Sequence, residues 1–367
     1  MREAPQFIER DADKITHEMV TQYEALSGKT LYPAQIERLL IDIIAYRETL
    51  VREAIQDAAC QNLVNFARAP MLDELGALVG CHRLGAQKAE AVFEATLKAV
   101  QSTPYLIMAG TTIKTADESI IFETLDNVVI AAGQLSVQVR AVCTQPGVNG
   151  NGLLSGKVSI FATNLSALDR FRNITVTAGG SDEESDNFYR ERIKLAPETF
   201  SVAGSTGAYR YHALSAHPDI KDVAITSPVA GEVKIYPLTK TGLPEKHILD
   251  KVYETCSHEK VRPLTDQVEV KSPVPIHYDI KASIVLYENA DQDSTMDAVK
   301  EAAESYERLM VSSLGKDIVP SQIIAMLSVA GVYEVKLQAP AATKIVLDHE
   351  WPQCDSIQIG YEGVAYG

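Results

Sequence analysis

Carboxylates are the densest reactive groups in this chain, and they gather at two places. Asp182, Glu183, Glu184 and Asp186 form one cluster; Asp291, Asp293 and Asp297 form another. A calcium loop needs such acids spaced along a sharp turn that contains glycine. Here Gly179 and Gly180 precede the first cluster, and Ser181 with Glu184 has the spacing of a capping box. Carboxylates in a first helical turn also complement the positive end of the helix dipole. Both clusters therefore read as helix starts, and no metal or other cofactor is expected.

Phosphate loops and nucleophiles are equally poorly supported. Gly147-Val-Asn-Gly-Asn-Gly152 lacks the Lys-Ser/Thr of a P-loop and opens no clear helix. Ala203-Gly-Ser-Thr-Gly207 does open a helix, with Ser205 or Thr206 as cap, but carries no lysine. There is no G-x-S-x-G elbow and no H-E-x-x-H. Among eight histidines only His212/His217 and His247/His258 are near one another in sequence. Cys256 and His258 are two apart on a helical pattern, so they face different directions. Paired carboxylates for glycoside hydrolysis stay open, because separation in space is unreadable from sequence. No catalytic constellation emerges.

Composition narrows the classes further. The 367 residues are 46% hydrophobic and 23% charged, which is ordinary for a globular protein. A net charge of −15, with no basic run longer than two residues, argues against nucleic-acid binding. Five cysteines, an odd number without CxxC spacing, read as free thiols in a reducing compartment. The N-terminus begins no apolar signal region and no stretch is long enough to span a membrane, so folding in the cytosol is expected.

The elements that must position any site change character along the chain. Residues 1–80 read as helical, beginning with a pattern from about Gln6 to Leu26 that exits at Ser27-Gly28. A long helix is expected from Pro33 to Phe66, roughly 50 Å in length. Its apolar stripe includes Ile36, Leu40, Ile43, Ile44, Leu50, Val51 and Ile55, opposite Glu37, Arg38, Asp42, Glu48, Arg52 and Glu53. Such a stripe pairs either with the first helix or with another chain. A short helix from Met71 to Val79 ends at Gly80.

From 88 to 177 the period is two, with six or seven strands and no intervening helix, as in an antiparallel sandwich or barrel. Residues 181–273 and 274–340 read as two α+β modules, and 341–367 as a closing hairpin of Thr343–Leu347 with Ser356–Tyr361. The expected fold class is α+β and multi-domain, with a helical N-terminus, a central antiparallel β domain and C-terminal α+β modules.

Four stretches carry a family resemblance. The run from Thr177-Ala-Gly-Gly-Ser-Asp through Asn187-Phe-Tyr-Arg-Glu-Arg-Ile193 resembles the signature of the baseplate J-like family of contractile-tailed phages. The segment from Gly204-Ser-Thr-Gly to Asp222-Val-Ala-Ile225 is similar to the family's next segment, C-terminal to that signature. Ile107-Met-Ala-Gly-Thr-Thr-Ile113 and Gln145-Pro-Gly-Val-Asn-Gly-Asn151 resemble turns of the family's β domain, although around Ala109 the chain has Met-Ala-Gly-Thr where Pro-Ala-Gly-Thr is expected. Together they cover roughly residues 88 to 290.

The resemblance implies a structural protein of the tail baseplate wedge in a phage, an R-type bacteriocin or a related particle, assembled in the bacterial cytoplasm. Its implied partners are a second copy of itself, a smaller I-like tail wedge protein, and the other wedge and hub proteins, with no nucleic acid and no membrane. Six wedges would close a ring around the spike. The family offers no catalytic residues to carry over, in agreement with the empty search. Two rival classes are a tail-associated cell-wall hydrolase, which needs a carboxylate or Cys/His constellation, and an adhesin, which needs fibrous repeats or a trimeric coiled coil. The partner interface is expected on the long helix, at Ile36, Leu40, Ile43, Ile44, Leu50, Val51 and Ile55.

Overall fold

Asp11 begins the first helix by accepting hydrogen bonds from the Asp13 and Lys14 amides, and α1 runs Ala12–Ser27. It ends as expected at Gly28, whose φ of 69° suits a residue without a Cβ and lets its N–H reach the Glu24 carbonyl. The computed structural model describes residues 3–161, 165–200 and 204–366. The long helix, α2, spans Ile36–Cys60 and is shorter than its periodicity suggested. Its 25 residues give about 37 Å. Residues 33–35 form a turn, and hydrogen-bonded turns replace helix between Cys60 and Ala67. α3 is Met71–Ala77.

Among the described residues eight strands come next: β1 (Lys88–Leu97), β2 (Tyr105–Ile107), β3 (Thr112–Thr115), β4 (Ile121–Thr124), β5 (Val128–Ile130), β6 (Ser136–Pro146), β7 (Val158–Phe161) and β8 (Leu168–Asn173). Six form one antiparallel sheet in the order β7-β3-β4-β6-β1-β8, and β2 pairs with β5. The alternation seen in sequence places Phe93, Phe122, Val139 and Phe171 inside. Asn173 stitches the two edge strands. Its amide accepts from Val158 N (3.0 Å) and donates to the carbonyls of Leu154 (3.0 Å) and Thr175 (2.9 Å). A fully buried asparagine thus satisfies edge groups that a closed ladder would otherwise pair.

The first C-terminal module contains α5 (Thr206–Ser215), β9 (Ile220–Thr226), β10 (Glu232–Thr239), α6 (Lys246–Cys256) and β11 (Gln267–Val270). The second contains β12 (Val274–Tyr287), α7 (Gln292–Val311), α8 (Pro320–Leu327), β13 (Val332–Ala339) and β14 (Glu350–Ala365). Each module has its own three-stranded mixed sheet and its own core. The architecture is α+β and multi-domain.

The closing hairpin does not form. β14 is one 16-residue strand lying parallel to β12, and residues 343–347 contribute only a bridge from Lys344 to Ile318. β13 takes one edge of β12 and runs antiparallel to it; the chain then reverses direction and passes to the other edge, so β14 runs parallel to β12.

Between β8 and α5 lies a further helix, α4, over Asp186–Leu195. Contacts divide the chain into two compact units. One comprises the residues up to Arg83 together with Ser185–Lys194, and the other comprises Leu84–Glu184 together with the residues from Leu195 on. Most of α4, expected within the first α+β module, therefore packs in the helical unit.

Candidate functional site

The most distinctive surface of the helical unit is on α2, and its polarity is reversed. The residues of α2 that are buried are Ile41, Ala45, Gln56 and Cys60. They share one side of the helix with Arg38 and Arg52, part of the face that reads as solvated in sequence. Arg38 pairs with Asp42 (2.9 Å) and Arg52 with Glu48 (2.8 Å). The segment before α1 lies along this side: Gln56 donates to the Pro5 carbonyl (2.7 Å) and accepts from Phe7 N (2.8 Å), and Arg52 donates to the Glu9 carbonyl (3.2 Å).

The apolar stripe lies on the other side. Ile36, Leu40, Ile43, Ile44, Leu50, Val51 and Ile55 are all exposed, from 46% for Leu50 to 74% for Ile36. At roughly 100° per residue, the two faces are centred on nearly opposite sides of the helix. α1 thus packs against the polar side, through Ile15 as its one buried residue among those described, and leaves the stripe open. Exposed Arg47 stands among these side chains, so the face is largely but not wholly apolar; exposed apolar patches are common at interaction surfaces.

α4 completes the helical unit through the residues of the signature stretch. Tyr189 is fully buried and its hydroxyl donates to the Cys81 carbonyl (2.7 Å). Gly76 on α3 makes room for it, since a Cβ there would sit 2.0 Å from the Tyr189 hydroxyl. Arg83 bridges Asp73 (2.7 Å) and Asp186 (2.8 Å) and lies over the Tyr189 ring. Arg190 donates to the Val64 and Ala67 carbonyls, and Arg192 to that of His82. These residues satisfy carbonyls left by the turns after α2 and α3. Burial pushes the Tyr189 phenol up to about 12, so it stays a neutral donor. Sequence reading saw the arginine-rich signature but had no means to see its acceptors, which lie over 100 residues earlier.

The acidic cluster is used differently from expectation. α4 starts at Asp186, so Ser181 and Glu184 form no capping box, and only Asp186 lies in a first helical turn. Ser181 instead makes a β-bridge with Gln87. Asp182 accepts from Val148 N (3.3 Å), and buried Glu184 accepts from Leu84 N (3.1 Å). The carboxylates serve backbone amides of neighbouring loops rather than a helix terminus. Asp291, by contrast, is the N-cap of α7 and accepts from Ser294 N (2.9 Å). That hydrogen bonding holds its carboxyl below the usual range. Among the described residues, no group of three or more His, Cys, Asp or Glu is arranged to hold a metal.

The glycine loops are backbone junctions. Asn151 exchanges two hydrogen bonds with Gly180, and a Cβ on Gly180 would meet the Gly147 carbonyl at 2.3 Å. Ser205 caps α5 by accepting from Ala208 N (3.1 Å), while Ala203 lies outside the described residues. Cys256 is core, and burial pushes its thiol up to about 12, far from a nucleophile's range. His258 spends Nδ1 on the Lys260 amide in the next turn. The fold pairs His217 with His247 instead, rings 6.2 Å apart, a pairing invisible in sequence. A groove of about 680 Å³ beside them is walled by Lys88, Glu123, Arg140, His247 and Lys251. Its Glu123 is paired with Lys88 (3.3 Å). Among the described residues, no helix is long and apolar enough to cross a membrane.

Known proteins match this chain domain by domain. The Baseplate J-like N-terminal domain matches residues 38–90, the barrel domain 94–180, the central domain 201–272 and the C-terminal domain 278–360. The chain belongs to the baseplate J-like family. This baseplate J-like chain is 36% identical over 178 residues to Baseplate protein J of Escherichia phage P2. That match covers 48% of the chain and 59% of the phage P2 protein. Among solved structures it is similar to a chain in the cryo-EM structure of the anti-feeding prophage baseplate, with a TM-score of 0.48 and 13% identity. That likeness covers 94% of this chain and 90% of the other. In baseplate J-like terms, α2 from Arg38 on falls in the N-terminal domain match and the Asn173 closure in the barrel match.

Proposed function

We propose that this chain is a non-enzymatic structural component of a contractile-tail baseplate, built into the wedge that rings the central hub and spike. The observation that carries the reading is the run of four baseplate J-like domains along one chain. The open apolar face of α2 supplies a surface for assembly, with Ile36, Leu40, Ile43, Ile44, Leu50, Val51 and Ile55 as the interface. Its partners are a second copy and a smaller I-like wedge protein, together with other wedge and hub proteins. The site of action is the tail baseplate, after assembly in the bacterial cytoplasm. The excess of acidic side chains keeps free subunits apart before they meet partners.

Co-expression with the neighbouring tail proteins, then native mass measurement, tests this. A stable complex of two copies with one smaller protein is expected. Replacing Ile43 and Leu50 by Asp abolishes it while the isolated chain stays folded, because both side chains are already exposed. A folded double variant that still assembles removes α2 from the interface. Cell-wall hydrolysis by the pure protein overturns the non-enzymatic reading.

A further inference from the structure

The outer face of the β domain carries side chains that its core does not use. Phe93, Phe122, Val139 and Ala141 point inward, so by alternation Glu90 and Val92 of β1, Arg140 and Val142 of β6 and Glu123 of β4 stand outside. Register sets them in two rows. Val142 lies between Glu90 and Glu123, and Arg140 lies beside Val92. Leu125 follows β4, and its amide donates to the Arg140 carbonyl (3.2 Å), so the guanidinium has an apolar neighbour on either side. His247 and Lys251, one turn apart on α6, wall the same groove of about 680 Å³.

Charge in this groove is out of balance. Lys88 pairs with Glu123 (3.3 Å). Exposed Arg140 and half-buried Lys251 make no ion pair among the described residues, and Glu90 is the one remaining carboxylate in the lining. Acids outnumber Lys and Arg 49 to 34 in the whole chain, yet here the cations are in excess. Cations set among apolar side chains favour an anion that carries apolar groups of its own. A helix about 10 Å across would fill the volume with fewer than two turns, so an extended segment suits it better. A second copy would bring a net charge of −15 along with any carboxylate it offered, whereas an acidic stretch on a less acidic polypeptide brings only itself.

We propose that this groove docks a short extended segment of another polypeptide in which carboxylates alternate with apolar side chains. The carboxylates pair with Arg140 and Lys251, and the apolar groups cover Val92 and Leu125. None of these residues belongs to the helical unit, so the docking role of α2 has no part in it.

Fluorescence anisotropy of the full chain with two labelled hexapeptides tests the groove. One peptide alternates leucine with glutamate, and the other alternates leucine with lysine. The glutamate peptide should bind about tenfold or more tightly than its lysine twin, and Arg140→Glu with Lys251→Glu should reverse that preference. Far-UV circular dichroism checks folding; should the reversed chain unfold, Arg140→Gln with Lys251→Gln carries the test, with loss of the glutamate peptide expected. A matched control changes Lys300 and Arg308 of α7, outside the groove lining, in the same way and should shift binding by less than about twofold. No saturable binding at millimolar peptide, or equal binding of the two peptides, overturns the proposal. An equal loss in the α7 control shows that net charge alone governs binding and overturns it too. Self-association of the wild type in sedimentation equilibrium that the Arg140 and Lys251 changes abolish assigns the groove to a second copy and refutes the proposed occupant.

Discussion

Gly76→Ala separates local preference from tertiary contact, because the two demand opposite signs. Gly76 lies inside α3, where alanine is preferred over glycine by roughly 1 kcal/mol. Propensity alone therefore makes the variant more stable. In the folded chain, however, the new Cβ would stand 2.0 Å from the Tyr189 hydroxyl and 2.7 Å from the Cys81 carbonyl. The first neighbour is a fully buried ring and the second is backbone, so neither yields freely. Overpacking costs about 1–3 kcal/mol, and breaking the buried hydrogen bond between those two groups costs about 1–3 kcal/mol more. Subtracting the propensity gain leaves net destabilisation of about 3 kcal/mol.

Urea unfolding monitored by far-UV circular dichroism reads this directly. Tyr189→Phe should cost about 1–2 kcal/mol by itself, because the buried hydrogen bond from Tyr189 to the Cys81 carbonyl is lost. In that background Gly76→Ala should cost at least about 1 kcal/mol less than in wild type, since the closest atom is gone. A Gly76→Ala protein as stable as wild type, or more stable, would refute the account of α3 and α4 as a fitted pair.

Two further outcomes test unit-specific chemistry. Burial, with Lys251, His247 and Lys240 nearby, holds the His217 imidazole down at about 4, against 6.5 when unfolded. Above pH 6.5 both states are neutral there. Between pH 6.5 and 4 only the unfolded state gains the proton, so stability falls by up to about 3 kcal/mol and then levels. His217→Gln should flatten that part of the urea-midpoint profile, and parallel profiles for the two proteins would contradict it. Asp222 accepts from Arg210 (2.6 Å) and from the Leu314 amide (2.8 Å), joining the two C-terminal modules. Asp222→Ala should cost about 2–3 kcal/mol in thermal or urea unfolding, less than a fully buried pair because Arg210 keeps partial exposure. Asp222→Asn should recover part of that cost, and a loss under about 0.5 kcal/mol in the alanine variant would show that the joint does not depend on this residue.

Short-range signals were legible in the sequence because their physics is local. The Gly28 exit of α1, the Ser205 cap of α5, the Asp291 cap of α7 and the alternation along β1 and β6 each depend on neighbours within a few residues. Periodicity also revealed that α2 has two unlike faces. It could not say which face α1 would take, because arginine stems beside Ile41 and Ala45 can be covered as readily as a leucine stripe. Only the tertiary structure settled that the polar side is packed and the apolar side left open. The same limit explains the misread acidic cluster, since Asp182 and Glu184 find their amide partners on loops some 30 to 100 residues away. It explains β14 as well: a strand's alternation is identical whether its neighbour runs parallel or antiparallel, and only the path of the chain past β12 after β13 decides. What the sequence determined was most of the elements and the faces of the periodic ones. The partners of those faces depended on contacts between distant residues, and distance in space is written in no single stretch of the chain.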